Sequence, residues 1–376
     1  MSVLRRCDAI HGNVFYSAVN PLAVEFENAL VFPRNHSVSF DSDENWGVYA
    51  NNGANISLAA YRRGPHQDRV GQSQQINFPS KTEVYAADCI HIYVGPLIFH
   101  HGHFLLTSLA RLWPLLKVSD RNVRLIYHGD HDIQTIYQQI PIANAAIKAF
   151  DLTPEHFVRP VVPTIFERLF VPAPSFEETN SAHQIHSDVG TLIGRFLKKD
   201  QILPVFPRPV MFSKEKLVSG VGRISNEDEI TDRLSQRGVE VLYPETMTLT
   251  EQLCVFETAP AVVSYAGSAL HTSLLAETPA TIIGLNLSSV MGSSQILIDA
   301  LKKNDATYLY PIHTRQSLSS TTFAAELRVD DPVATSDAIL REIDLKTNWR
   351  VRLRKLGRKP DLSKCLAYPG VQSLWP

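Results

Sequence analysis

The stretch from residue 210 to residue 312 constrains the fold most, because short apolar runs alternate there with amphipathic segments. Strands are predicted over 210–213, 239–243, 261–265, 280–285 and 307–312. Helices are predicted between them, over 226–237, 248–259, 268–277 and 293–303. Ser225 stands where a cap is needed, acids fill the first turn that follows, and Gly238 closes the end. Thr248 and Glu251 have the spacing of a capping box. Strand and helix in strict alternation give a parallel sheet covered on both faces, a doubly wound domain.

A less regular series precedes it. Strands are expected over 84–94 and 123–128. Helices are expected over 102–116, from Asp130 to Pro141, over 144–151 and over 186–198, with proline-broken apolar runs across 158–172. The proline-rich break LPVFPRP (203–209) separates the two series. The first 80 residues are polar, with turn signals at Asn51-Asn52-Gly53 and Arg63-Gly64-Pro65, and read as an irregular β-rich piece. The organisation is therefore an N-terminal segment (1–80), an N-terminal Rossmann-like domain (81–203), a C-terminal one (204–331), and a final helix with a basic tail (332–376). Two such domains in tandem, with ligand crevices at the carboxyl ends of their strands, are the architecture of a two-domain nucleotide-sugar enzyme.

Charge and cysteine content narrow the chemistry. Lys+Arg 36 against Asp+Glu 38 leaves a net charge of -2, so no global basic field exists to hold nucleic acid. The four cysteines, Cys7, Cys89, Cys254 and Cys365, are scattered without mutual metal-ligand spacing and read as free thiols of a reducing compartment. Residues 1–16 lack a continuous apolar core, so no signal peptide or anchor is expected. Polar residues interrupt the least charged stretch, 258–298, too often for a spanning helix.

Three places could carry chemistry. In VVSYAGSALHTSLLA (262–276) a strand runs into a helix start, where free N–H groups favour an anion. Gly267 would admit a phosphate, Ser268 adds a hydroxyl, and His271 lies in the first turn; a tight turn and a core histidine explain the same residues. Ser213 and Lys214 close the first strand of this domain, and Lys216 and Arg223 follow, either as cations for a diphosphate or as an ordinary solvated loop. In the first domain, His100-His101-Gly102-His103 lies between a strand and a helix, open to capping, acid–base or metal readings. The loop Tyr127-His128-Gly129-Asp130-His131-Asp132 offers Asp130 as a second candidate, with an Asx turn as the plainer explanation.

The motifs in order resemble glycosyltransferase family 61, once filed as a domain of unknown function and as capsular polysaccharide biosynthesis proteins. The matching pieces are GHFLLTSLARLWPL (102–115), FERLFVPAPSF (166–176), FSK (212–214), GRISNEDEI (222–230), LTEQLCVFETA (249–259) and GSALHTSLLAETP (267–279). The Ser-Ala-Leu-His form resembles the bacterial branch. The resemblance implies a GT-B fold, two Rossmann-like domains facing a cleft, with the donor nucleotide in the C-terminal domain. It further implies inversion at the anomeric carbon without a catalytic metal or other cofactor. No Asp-x-Asp set beside a strand end argues otherwise.

On that basis His103 matches the family's histidine and is the expected base or acceptor contact. Lys214, Arg223, Gly267, Ser268 and His271 would hold the diphosphate. Tyr243 and Glu245 would flank the nucleoside, with Gln252 as the recurring amide on the next helix. The expected partners are a nucleotide sugar and a polysaccharide or lipid-linked oligosaccharide acceptor. The setting is cytoplasmic, with the basic run from Lys346 to Lys364 either touching an anionic membrane or forming a solvated helix end. Thr107 stands where many members carry an acid, which keeps alive a second reading: a catalytically silent nucleotide- or glycan-binding subunit.

Overall fold

The computed structural model describes residues 3–34, 46–70, 72–118, 122–217, 222–316 and 326–348. The chain divides into two compact units, one of residues 10–199 with 292–301, the other of residues 1–9 with 200–291 and 302–376. The architecture is mixed α/β with several sheets. Among the described residues no helix is long and apolar enough to cross a membrane.

The first unit is built on β1 (Ala23–Phe32), β2 (Gly47–Tyr49), β3 (Glu83–Tyr85), β4 (Ile90–Pro96), β5 (Val123–His128), β6 (Phe157–Val158) and β7 (Thr164–Pro172). Their order is β6-β5-β4-β7-β1-β2, with β3 beside β7. β6, β5, β4 and β7 run parallel, whereas β7–β1 and β1–β2 pair antiparallel. The sheet is thus mixed rather than the all-parallel one expected. Residues 158–172 are not short broken runs: Thr164–Pro172 is one nine-residue strand, with proline only at its last position, where no further ladder bond is needed. Opposite it, Ala23–Phe32 runs ten residues in full register from Thr164↔Val31 to Pro172↔Ala23. β4 is buried from His91 to Pro96, as a strand covered on both faces must be. Tyr93, Ile126, Phe166, Leu169 and Val171 pack on Ile56 and Ala59 on one face. Helices α1 (Ile133–Gln139), α2 (Pro141–Ala149) and α3 (Gln184–Lys198) complete the unit.

The second unit carries the regular series. Its strands are β8 (Val210–Phe212), β9 (Glu240–Leu242), β10 (Val262–Tyr265), β11 (Thr281–Leu285) and β12 (Asp305–Pro311), in the order β9-β8-β10-β11-β12, all parallel. Numbered along the chain this is 2-1-3-4-5, a doubly wound order whose switch point lies between β8 and β10. The strand Leu4–Arg6 adds to the edge of β12, antiparallel. Alternate side chains serve the two faces. Met211, Val263 and Ile283 meet Ile230 and Leu234 of α4 (Glu227–Gln236) and Ile339 and Ile343 of the last helix, Pro332–Thr347. On the other side Phe212 packs edge-on against Phe256 of α5 (Leu249–Thr258).

Two capping expectations resolve differently. The Thr248–Glu251 box is present, Thr248 Oγ1 accepting from the Glu251 N–H and Glu251 accepting from the Thr248 N–H. The cap position before α4 is Asn226, not Ser225, and its amide pairs with both backbone groups of Val329 instead of the helix. The basic run of the tail lies outside the described residues beyond 348.

Candidate active site

In the first unit the switch point falls between β4 and β7, and the chain leaves both strands toward one crevice. After β4, the Leu97 N–H donates to the His128 carbonyl and the Ile98 N–H to Ser108 Oγ, which bends the chain into the three histidines. The expected continuous helix over 102–116 is not formed. A single turn, His101–His103, passes into a π-helical turn, Phe104–Ser108, and a 3₁₀ turn, Trp113–Leu116. Pro114 lacks the N–H a helix would need there. The His100 ring caps the first turn, its Nδ1 accepting from the His103 N–H at 3.5 Å.

After β7, the short strand Phe176–Glu177 pairs with Ser181–His183. Glu177 is consumed in that hairpin, accepting from Asn180 Nδ2 (2.8 Å) and Ser181 Oγ (3.0 Å). Glu178 points the other way. Its carboxylate oxygens lie 2.8 and 2.9 Å from His103 Nδ1, and Thr107 Oγ1 donates to Oε1 at 2.5 Å. Burial works against ionising this carboxyl, yet the His103 ring, Thr107 and the Arg63 charge together hold it below the usual carboxylate range. Burial and the Glu178 charge push the neighbouring Tyr61 phenol up. A small pocket, lined in part by Tyr61, Thr107, Arg111 and Glu178, opens here.

Arg111 forms the pocket's floor. Its guanidinium is buried and donates to the carbonyls of Leu58 (2.8 Å), Ala60 (3.1 Å) and Pro172, with the Tyr93 ring 5.6 Å away. Burial lowers it to about 10, so it stays charged at neutral pH. The other histidines nearby are spoken for. His128 is buried between the Tyr93 hydroxyl and the Phe32 carbonyl, each at 3.0 Å, and burial pushes it down to about 4. His186 bridges Ser175 Oγ and the Leu105 carbonyl and is pushed by burial to about 3. Asp130 pairs with Arg34 at 3.4 Å, while Asp132 caps α1 through the Thr135 N–H and hydroxyl. The Asx turn is therefore present at Asp132, and Asp130 is held by a cation.

In the second unit the ends of β8 and β10 adjoin. Ser213 is buried and closed on its own turn, accepting from the Glu215 N–H at 3.1 Å. The Lys214 N–H donates to Glu227 Oε1 at 2.9 Å, and its amine lies 5.4 Å over the Tyr265 ring. Burial lowers the Lys214 amine, with Glu227 opposing, and burial raises Glu227. The Tyr265 hydroxyl is buried with no hydrogen-bond partner among the described residues. Lys216 stands 3.8 Å over the Tyr243 ring. Glu245 is exposed in the turn Pro244–Thr246, and Gln252 holds that turn by donating to the Pro244 carbonyl at 2.9 Å. Arg223 is exposed on a separate small sheet, beside the strand Glu326–Val329, and donates to the Leu217 carbonyl.

Past β10, Gly267 takes a φ of +151 that side-chain-bearing residues rarely adopt, with open space where a Cβ would sit. The helix expected over 268–277 is one α turn, Ser268–His271, followed by a 3₁₀ turn, Thr272–Leu275. The aligned dipole available there is correspondingly short. Lys214 thus meets Tyr265, two residues before Gly267, while Ser213, Gln252 and Arg223 serve their own turns.

Two groups escaped the sequence reading. Glu178 is 75 positions from His103, and no local spacing connects them. Asp88, Cys89 and His91, at the opposite end of β4 from His103, bring ligand-type atoms within 4.8 Å of one another, and Cys89 Sγ lies 3.5 Å from His91 Nε2. The Cys-x-His spacing, from the bend before β4 into its second residue, was the available signal.

No curated protein matches the chain. The family model described as Glycosyltransferase 61 matches residues 101–283, just under half of the chain, from the histidine turn to within β11. That match supports the family the motifs resemble, and with it a glycosyltransferase.

Proposed function

We propose that the chain is a metal-independent, inverting glycosyltransferase that moves a sugar from a nucleotide-sugar donor to a polysaccharide or lipid-linked glycan. The observation that carries this reading is the His103–Glu178 contact at a crevice end, within the stretch that matches the family. With Nδ1 bound to the carboxylate, Nε2 is the nitrogen left to take a proton. In the reaction an acceptor hydroxyl oxygen attacks the anomeric carbon as its proton passes to His103 Nε2. The bond from that carbon to the diphosphate oxygen breaks, and the pair leaves on the nucleotide.

The departing charge would be met by Lys214, Ser268 and His271 around the open backbone at Gly267, with Arg223 as a further cation from its small sheet. Tyr243 and Glu245 would border the nucleoside. Lys214 and Lys216 are offset by Glu215 and Glu227, so this end binds through placed donors rather than through a strong net positive field. The free thiols of Cys7, Cys89 and Cys254 suit a cytoplasmic setting.

The test is transfer, or donor hydrolysis, over a panel of nucleotide sugars, with product mass as readout and His103→Ala and His271→Ala as comparisons. Turnover that vanishes in the His103 variant supports the reading. Nucleotide binding without turnover of any donor leaves the silent binding subunit standing instead.

A further inference from the structure

We propose that Glu178 is the positioning residue of His103, fixing its ring with Nδ1 protonated and Nε2 bare, and that Thr107 sets the carboxylate for that task. The inference rests on the glycosyltransferase reading for its consequence, but its geometry stands alone. An ionised carboxylate only accepts hydrogen bonds. With both Glu178 oxygens within 2.9 Å of Nδ1, a neutral His103 must carry its proton there. A free imidazole side chain favours the proton on Nε2, so Glu178 reverses the ring's own preference and leaves Nε2 as an acceptor.

The carboxylate is set before the ring meets it. Thr107 Oγ1 donates to Oε1 at 2.5 Å, which fixes the carboxylate plane with Oε1 and Oε2 at 2.8 and 2.9 Å from the imidazole Nδ1. The Glu178 carbonyl accepts from Thr179 Oγ1 (2.6 Å) and Gln67 Nε2 (3.2 Å). Thr179 is held in a left-handed conformation, φ 59, with its N–H donating to Ser294 Oγ at 2.9 Å. Exposure is divided as the role requires: the His103 side chain is 30% exposed and that of Glu178 15%. The ring is the more open to solvent of the two, and the acid lines the small pocket beside it.

Thr107 stands four residues after His103, on the same face of the turn, so a carboxylate placed there would reach the same ring. Acid and hydroxyl are therefore exchangeable between positions 107 and 178. The experiment uses the full chain labelled with ¹⁵N-histidine, with the His103 signal assigned by its loss in His103→Asn. In the wild type the neutral ring shows Nδ1–H. Glu178→Ala is expected to move the proton to Nε2 and to lower kcat by about 100-fold with little change in acceptor KM. Thr107→Glu combined with Glu178→Ala is expected to restore the Nδ1–H signal and most of kcat, and it also reports on the role if the single variant does not fold. An unchanged tautomer in Glu178→Ala overturns the proposal, as does a relocated acid that recovers neither signal nor rate. If the wild type transfers no sugar at all, the glycosyltransferase reading falls, while the tautomer still decides what Glu178 does.

Discussion

At the ends of β4 and β7, one carboxylate holds one imidazole by one nitrogen and leaves the other open. At the ends of β8 and β10, by contrast, Lys214, Glu215, Lys216 and Glu227 largely neutralise one another, and a buried tyrosine hydroxyl goes without a partner among the described residues. The first arrangement is directional and suits proton transfer. The second is a set of donors and rings around an open glycine, which suits holding a ligand by shape. Charge type alone does not separate the two, since each combines acids and bases. What separates them is where the hydrogen bonds end.

The contrast can be broken most directly at His103. Its replacement by alanine should cut kcat by about 10²–10⁴ while leaving donor affinity nearly intact, measured by nucleotide release and by calorimetry. Equal loss of donor affinity would erase the distinction between the two ends. Arg111→Met should leave the Leu58, Ala60 and Pro172 carbonyls short of donors and cost about 3–5 kcal/mol of stability in urea unfolding. A loss under about 1 kcal/mol would mean the pocket floor relaxes freely.

Acidification should weaken the first unit next. The unfolded chain takes up protons near the ordinary histidine value of 6.5, whereas folded His128 holds off until about 4 and His186 until about 3. Stability is therefore full above pH 6.5 and falls as pH drops toward those values, on the order of 3 kcal/mol for His128. His128→Gln should flatten the pH dependence of the melting temperature over that window. Smaller again, Lys214→Met should weaken nucleotide diphosphate binding about tenfold, roughly 1.4 kcal/mol, with kcat at saturating donor little changed. Gly267→Ala, strained at its φ but sterically open, should cost about 1 kcal/mol in stability.

Legibility followed local repetition. All five parallel strands of the second unit lie where alternation put them, because each is short, largely apolar and separated from the next by a helical segment. The first 50 residues hid Ala23–Phe32: its Glu25 and Glu27 sit on an open face, and its partner β7 comes about 140 residues later. The helix expected over 102–116 failed because Pro114, visible in the sequence, removes an N–H, and because periodicity does not record the widened turn at Phe104–Ser108. Among the candidate residues of each unit, His103, Lys214 and Gly267 could be named from motif and strand end. Glu178 could not, since its role exists only once β4 and β7 lie side by side.

The strand Leu4–Arg6 pairs with Asp305–Pro311, some three hundred residues further along the chain. The chain also leaves the second unit after residue 9, returns at 200, leaves at 292 and returns at 302. No single cut separates the two cores, and deleting residues 1–9 would strip an edge strand from a sheet whose other members all lie beyond residue 209. During synthesis Leu4–Arg6 must wait, unpaired, until β12 has emerged, so the second sheet closes only after the ribosome has passed residue 311. Contacts of such long sequence separation slow the final step of folding. Nascent chains stalled before residue 305 should therefore leave that edge open.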